Sequence, residues 1–97
     1  ANLVAADLTD SNFTRANLTH ANFQEANLRG TTLSGANLAG ARLDGADLRR
    51  TTLHGTDLSL VSGLTQAQLD TACVDEQTKL PAELTRPAPC AAAKTKR

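Results

Sequence analysis

Tryptophan and tyrosine are absent from this chain of 97 residues, and its only aromatic residues are Phe13 and Phe23. A globular core of this size usually contains more aromatic side chains, because they fill irregular spaces between packed layers. The apolar residues here are mainly leucine and alanine. This composition favours a core built from repeated, similar positions.

An excess of charge of one sign is also missing, since ten acidic residues balance ten basic ones. No overall field therefore attracts the protein to nucleic acid or to anionic lipid. The longest apolar run is far too short to span a membrane. We expect neither nucleic acid nor a membrane among its partners. Because the sequence begins at Ala1, without methionine and inside a repeating pattern, we expect that an upstream segment was removed.

A period of five residues runs through the first three-fifths of the chain. Leucine or phenylalanine stands at every fifth position from 3 to 58, a small residue precedes it by two positions, and Asn or Asp lies between them in nine of the twelve repeats. On an α-helix, five residues advance the azimuth by about 140°, so the leucines would form no stripe. In a flat strand, successive leucines would alternate faces. Neither element buries this pattern.

A chain that turns a corner after every five residues does bury it. The small residue and the leucine are two positions apart, so they point to the same side, which becomes the interior. The other three positions face outward. Four such sides close a coil of twenty residues, and coils stack at roughly 4.8 Å. Five repeats end in glycine, which suits a corner that requires positive φ.

The repeats A-N-L-A-G at 36–40 and A-D-L-R-R at 46–50 resemble those of the pentapeptide-repeat family. The resemblance covers residues 1–60 and implies an all-β solenoid, a right-handed quadrilateral β-helix of about three coils. We assign residues 1–62 to this solenoid. Its predicted core consists of the residues at every fifth position, which are Leu3, Leu8, Phe13, Leu18, Phe23, Leu28, Leu33, Leu38, Leu43, Leu48, Leu53 and Leu58.

Residues 63–90 are predicted to cap the solenoid. The sequence T-Q-A-Q at 65–68 is a capping box that opens a short helix from about 65 to 73, and three later prolines exclude regular structure. This region is similar to the C-terminal segments of bacterial pentapeptide-repeat proteins. Residues 91–97 are predicted to form a flexible basic tail. The predicted cover over the third coil consists of Leu64, Leu69, Leu80 and Leu84.

Cys73 and Cys90 are the only cysteines. We expect a disulfide between them, which would close an 18-residue loop and contribute about 3 kcal/mol. Two free thiols are the alternative. A disulfide would indicate an extracytoplasmic location, in the periplasm or a lumen, whereas free thiols would leave the cytoplasm open.

No combination of residues in the sequence indicates catalysis. His20 and His54 fall on different sides of the predicted coil, and the serines and threonines have no paired base. Two cysteines alone cannot build a zinc site, and the glycines follow the repeat period instead of forming a phosphate loop. We predict that the protein is not an enzyme and holds no metal or cofactor.

The leading functional hypothesis is a structural or protein-interaction module that presents flat solenoid faces to a protein partner. The family resemblance implies an alternative, a DNA mimic that binds a topoisomerase such as gyrase. Such a mimic needs a strongly acidic rod, whereas residues 1–60 hold six acidic and five basic residues, a net charge of −1. A second alternative is a small-anion or partner site at Arg29, Arg42, Arg49 and Arg50.

The N-terminal end of the solenoid has no capping segment in the sequence. We therefore expect the edge of its first coil to be open, and we expect that further upstream coils or a second chain cover it. In the second case, the protein would be a homodimer joined through its uncapped N-terminal coil.

The interior assignment predicts that Ala26→Leu destabilises the protein about as much as Leu28→Ala. The first change overpacks the narrow position, at a typical cost of about 1–3 kcal/mol, and the second leaves a cavity, at about 2–5 kcal/mol. Thermal unfolding of both variants measures the effect. Near-native melting of the Ala26 variant would show that residue 26 does not face the interior.

Overall fold

Residues 2–85, which a computed structural model describes, wind in coils of twenty residues. Parallel main-chain bridges join each residue of the second repeat position, from Asn2 to Arg42, to the residue twenty positions later, as in the pairs Asn2–Asn22 and Asn22–Arg42. The three coils are residues 2–20, 21–40 and 41–60. This is the predicted β-solenoid.

Each coil has four sides of five residues, which we number in chain order. Side one contains residues 2–5, 21–25 and 41–45, side two 6–10, 26–30 and 46–50, side three 11–15, 31–35 and 51–55, and side four 16–20, 36–40 and 56–60. Within residues 2–85, each side contributes a single bridged residue and no longer strand forms. The sides are too short for a continuous ladder, because a corner follows every bridge.

Left-handed residues make the corners. The last residue of eleven consecutive repeats has a φ between 57° and 74°, and the amide three residues after each leucine closes the turn, as in Ala6 N to Leu3 O at 3.0 Å. Five of these corner residues are glycines. At Gly30 the requirement is twofold, because the Asp10 carboxylate occupies the space that a Cβ would need. Non-glycine corners such as Arg50 accept a strain of about 1–2 kcal/mol.

The Asn or Asp at the second position stabilises each turn with its side chain. Its Oδ1 accepts a hydrogen bond from the main-chain N–H two residues later, at 2.9–3.2 Å. This is the Asx turn, and it explains why the repeat prefers these two residue types. All nine Asn and Asp residues at this position form it: Asn2, Asp7, Asn12, Asn17, Asn22, Asn27, Asn37, Asp47 and Asp57.

The interior contains the predicted leucine column, but its burial depends on the coil. Four of the twelve predicted core residues, Leu3, Leu8, Phe13 and Leu18, are only partly buried, because coil 1 has a described neighbour on one side alone. The other eight are at most 1% exposed. They are Phe23, Leu28, Leu33, Leu38, Leu43, Leu48, Leu53 and Leu58.

Three interior positions hold threonine instead of alanine, and their hydroxyl groups are satisfied. Thr31, Thr51 and Thr56 are fully buried. Each Oγ1 donates to the main-chain oxygen of a residue in the preceding coil, at 2.6–2.7 Å. A buried polar group with a hydrogen bond avoids the desolvation penalty, so threonine is tolerated in this core.

The coil pattern continues beyond residue 62, the predicted end of the solenoid. Ser62 bridges to Arg42, Cys73 to Thr52 and Lys79 to Asp57, which are offsets of 20, 21 and 22 residues. Val74 and Thr78 are buried at interior positions. Residues 61–82 thus form a partial fourth coil. Its repeats do not follow the five-residue period, because two of its sides contain one additional residue each.

The helix α1, Gln66–Thr71, replaces side two of this fourth coil. Thr65 and Gln68 form the predicted capping box at its start. The helix ends two residues before the predicted limit near Cys73, because Cys73 already pairs with the main chain of side three. Leu69 within the helix and Leu64 just before it are buried, while Leu80 and Leu84 are partly buried against the same core.

The side chain of Gln68 supplies a hydrogen bond that the helix cannot make with its main chain. In the coil below, the carbonyl of Ala26 accepts the N–H of Asp47 at 2.9 Å. The equivalent carbonyl of Ala46 instead accepts Gln68 Nε2 at 2.9 Å, and the same amide donates to Leu43 O at 2.8 Å. The glutamine amide therefore stands in for a strand N–H.

A second glutamine joins the cap to the end of the described chain. Gln66 Nε2 donates to Thr85 O and Gln66 Oε1 accepts Thr85 N, both at 2.9 Å. Cys73 is buried, but Cys90 and the predicted tail lie outside residues 2–85. The disulfide, and the extracytoplasmic location that depends on it, stay predictions.

The role of Gln68 predicts that Gln68→Leu lowers the free energy of unfolding by about 2–3 kcal/mol, because the change breaks the capping box and leaves the Ala46 carbonyl without its partner. Chemical denaturation measures the loss. Gln77→Leu is the matched control, because the side chain of Gln77 is exposed and such a surface change costs at most about 0.5 kcal/mol. Equal stability of the two variants would contradict the assignment.

Candidate interaction face

The predicted arginine site lies on the outside of the solenoid and is called here the Arg-bearing face. It consists of Arg29, Arg49 and Arg50 on side two and Arg42 on side one. Arg29 and Arg49 follow the bridged pair Asn27–Asp47, so they occupy the same position in successive coils. Arg42, Arg49 and Arg50 are exposed and Arg29 is half-buried.

Arg49 is paired within its own turn. Its Nε lies 3.0 Å from Asp47 Oδ1 and its Nη2 lies 2.8 Å from Asp47 Oδ2. This fork lowers the pKa of Asp47 and raises the pKa of Arg49, and the charge of Arg29 lowers the pKa of Asp47 further. Asp47 therefore neutralises part of the arginine cluster, which reduces its attraction for a free anion.

Arg42 has a looser partner. Its Nε lies 3.7 Å from Asp44 Oδ1, close enough for an ion pair but too far for a hydrogen bond. That oxygen is shielded from solvent and has no hydrogen-bond partner, although the Asp44 side chain as a whole is 47% exposed. The corner at Gly45 separates this pair from side two.

Arg29 and Arg50 remain without a carboxylate partner among residues 2–85. The four predicted residues therefore divide into two that the protein pairs internally and two whose guanidinium groups are open to a partner. Arg50 stands at a corner with a φ of 60°, and Arg29 follows an Asx turn at Asn27. Both side chains therefore project from main chain that is held at a defined position.

The other sides have a different character. Side three carries hydroxyl groups, and side one has an open groove of about 330 Å³ lined by Val4, Gln24, Glu25, Asp44 and Gly45. Within residues 2–85, no three His, Cys, Asp or Glu side chains gather closely enough to hold a metal ion. No helix in the described part of the chain has the length and apolarity needed to cross a membrane.

Asp75 connects the partial fourth coil to coil 3. Its Oδ1 accepts the main-chain N–H groups of Gly55, Gln77 and Thr78 at 3.0–3.1 Å. Burial raises the pKa of Asp75, but these hydrogen bonds outweigh it, and the pKa is lowered overall. Asp75 was not predicted from the sequence. It nevertheless repeats the Asx turn of the coils, because its side chain accepts the main-chain N–H of Gln77, two residues later.

The model of the family described as pentapeptide repeats matches residues 1–35 and 26–62, with eight copies of the repeat. The chain belongs to the pentapeptide-repeat family. The family and the β-solenoid predicted from the five-residue period are therefore confirmed.

Two solved structures are similar to this pentapeptide-repeat protein. QnrB1, a plasmid-mediated fluoroquinolone resistance protein solved after trypsin treatment, is 22% identical with a TM-score of 0.69, over 84% of this chain and 38% of that chain. A pentapeptide repeat protein from the Arabidopsis thaliana thylakoid lumen is 22% identical with a TM-score of 0.31, over 82% of this chain and 51% of that chain. No curated protein sequence matches. The likeness to QnrB1 shows the fold alone.

The turn geometry predicts a pH dependence of stability at Asp57. The Ser59 hydroxyl donates to Asp57 Oδ1 at 2.6 Å and lowers the pKa of Asp57. The folded carboxylate thus stays ionised to a lower pH than the unfolded one, which titrates near pH 4. Its stabilisation is complete above about pH 4 and is lost as the pH falls through the folded pKa.

The variant Asp57→Asn keeps the turn acceptor and removes this titration, so its melting temperature should fall less steeply than that of the wild type between about pH 4 and pH 2. Thermal unfolding at several pH values measures the slope. Glu76→Gln makes the same change of charge at an exposed residue without a hydrogen bond and should keep the wild-type slope. Identical slopes for both variants would refute the prediction.

Proposed function

We propose that this pentapeptide-repeat protein is a non-catalytic protein-interaction module, and that the Arg-bearing face binds an acidic patch on its partner. The observation that carries the proposal is that Arg29 and Arg50 have no carboxylate partner among residues 2–85. Arginine suits such a role because its planar guanidinium group pairs with carboxylates at interfaces.

The rigidity of side two favours binding. The N–H of Leu28 donates to Asp47 O at 2.9 Å, and the Asx turns at Asn27 and Asp47 hold the residues that lead to the arginines. A surface that is already ordered loses little conformational entropy on association. The main chain that carries the arginines therefore adds little to the entropic cost of binding.

The hydroxyl groups support a non-catalytic role. Those of Thr14, Thr19 and Ser59 donate to an Asn or Asp of their own turn at 2.6 Å, and the buried threonines donate to main-chain oxygens. Nucleophilic catalysis needs a hydroxyl beside a base that removes its proton. The hydroxyl groups here serve the turns and the core instead.

We further propose the finer architecture that the resemblance implies, a right-handed quadrilateral β-helix closed at its C-terminal end by α1 and the segment after it. The corners at every fifth residue support four sides per coil. The burial of Leu64 and Leu69 supports a cover over coil 3. A protein that is closed at this end presents its four sides, and not its C-terminal edge, to a partner.

Mimicry of DNA by this chain is less well supported. Duplex DNA carries a negative charge about every 1.7 Å of its axis, whereas the acidic residues of the repeats are balanced by arginines to a net charge of −1. On side two, the acidic Asp47 is itself bound to Arg49. A polyanionic stripe is therefore missing from this side.

The proposal predicts that Arg29→Glu/Arg50→Glu abolishes capture of a partner protein from an extract of the source organism. The immobilised wild-type protein should retain a protein that the double variant retains at least about tenfold less, because like charges then face each other. Arg15→Glu/Lys79→Glu, on sides three and four, makes the same change of net charge and should retain it fully. Equal capture by both variants would exclude the Arg-bearing face.

Two further measurements separate the alternatives. Thermal stabilisation by phosphate or sulfate that is lost in Arg49→Ala would indicate a small-anion site in place of a protein interface. Inhibition of gyrase supercoiling by micromolar protein, unchanged in Arg29→Glu/Arg50→Glu, would indicate the topoisomerase-binding alternative.

A further inference from the structure

Four of the Asx turns in the coils contain a second hydrogen bond, which comes from a hydroxyl group. The hydroxyl of Thr14 donates to Asn12 Oδ1 at 2.6 Å, and that of Thr19 donates to Asn17 Oδ1 at 2.6 Å. In the other two turns the acceptor is an aspartate, which has no amide group. Within residues 2–85, Asn12 and Asn17 are therefore the turn residues that combine a side-chain amide with a hydroxyl group two residues later.

Both asparagines belong to a short sequence motif, Asn-x-Thr, which reads N-F-T at 12–14 and N-L-T at 17–19. This motif is the acceptor to which oligosaccharides are attached in secreted proteins. A modified asparagine must lie on the surface, because the attached sugar is bulky. The motif therefore indicates a modification site only where the structure exposes the asparagine side chain.

Asn12 and Asn17 meet this requirement. Both residues are exposed, on side three and side four of coil 1. Neither Nδ2 has a hydrogen-bond partner among residues 2–85, because the bonds of both turns use Oδ1. A substituent on Nδ2 would therefore leave the turn intact and would point away from the leucine interior.

The hydroxyl groups also suit the chemistry of the transfer. The nitrogen of a carboxamide is a weak nucleophile, because it shares its lone pair with the carbonyl oxygen. As Nδ2 loses a proton, negative charge develops on Oδ1, and donors already held at that oxygen stabilise this charge. Oδ1 of Asn12 has two such donors, the N–H of Thr14 at 3.0 Å and its hydroxyl at 2.6 Å.

We propose that Asn12 and Asn17 are acceptor sites for N-linked glycosylation. The donor is an oligosaccharide that is linked to a lipid through a diphosphate, and the transferase supplies a base. Nδ2 forms a bond to the first carbon of the sugar as the bond between that carbon and the diphosphate oxygen breaks. The electrons of the broken bond leave with the lipid diphosphate, and the Nδ2 proton passes to the base.

The positions of the two sites determine which faces stay open to a partner. Glycans on Asn12 and Asn17 cover parts of sides three and four, whereas the Arg-bearing face lies on sides one and two. The guanidinium groups of Arg29 and Arg50 therefore stay accessible in the modified protein. The glycosylation sites do not rest on binding at the Arg-bearing face, so loss of partner capture in the arginine variants leaves them unaffected.

The test uses the protein isolated from its source organism. Trypsin cleaves after Arg15, so Asn12 and Asn17 fall in different peptides. A glycosidase that releases N-linked glycans in heavy-oxygen water converts each modified asparagine into an aspartate with a mass label. We expect the label at both sites and none at Asn22 or Asn27, which share a peptide with Asn17 but lack the motif. Absence of the label from both sites would overturn the proposal.

Two variants produced in the same organism test the role of the hydroxyl group. Thr14→Val changes an exposed residue and keeps its main-chain donor, and it should remove the label from Asn12 while Asn17 keeps its own. Asn37 is exposed and bridged to Asn17, but its turn has only the main-chain donor of Ala39, at 3.1 Å. Ala39→Thr should therefore add a label at Asn37. A label at Asn12 in the first variant, or none at Asn37 in the second, would contradict the proposal.

Discussion

The parallel hydrogen bonds between residues twenty positions apart are the interaction on which the rest of the structure depends. They form only if the chain returns to the same azimuth after four corners, so each corner must be made with high fidelity. Two devices secure this. A residue with left-handed backbone, such as Gly30 or Arg50, turns the chain at each corner. The Asn or Asp at the second repeat position fixes the start of the turn, because its side chain accepts the main-chain N–H two residues later, as Asn27 does from Arg29. Strain at the non-glycine corners persists because the stacked coils over-determine their geometry.

The sequence predicts the repeating part of this fold well, because each element of the repeat has a local cause. The leucine column at 28 and 48 and the glycine corners follow from side-chain direction and backbone freedom, and the structure has both. The partial fourth coil was not predicted. Its interior residues Val74 and Thr78 follow insertions of one residue each, so a search for a strict period passes over them. The sequence does contain one indication of this coil, because Ala72 lies two positions before Val74, as the small residue does before the leucine in each repeat.

The site could be predicted only as a set of residues. The period places Arg29 beneath Arg49 and brings Asp47 near them, but it does not decide which guanidinium groups are already bound. That depends on side-chain rotamers, because Arg49 can reach the carboxylate of its own turn only in one orientation. Nor does a repeat pattern reveal Gln68 as a donor, since its partners, the carbonyls of Leu43 and Ala46, lie more than twenty residues away. Hydrogen bonds between a side chain and the main chain of another coil join residues far apart in the sequence, so a local sequence pattern does not predict them.

The main-chain hydrogen bonds between coils also explain why α1 carries a glutamine at residue 68. Where α1 takes the place of side two, no main-chain N–H reaches the carbonyl of Ala46, which would otherwise have no donor. A side-chain amide solves this because it carries a donor on a flexible stem and can also accept the N–H of Thr65. A carboxylate at residue 68 would repel the same carbonyl. The residue type at this position therefore decides whether the Ala46 carbonyl keeps a donor where the helix takes the place of the coil.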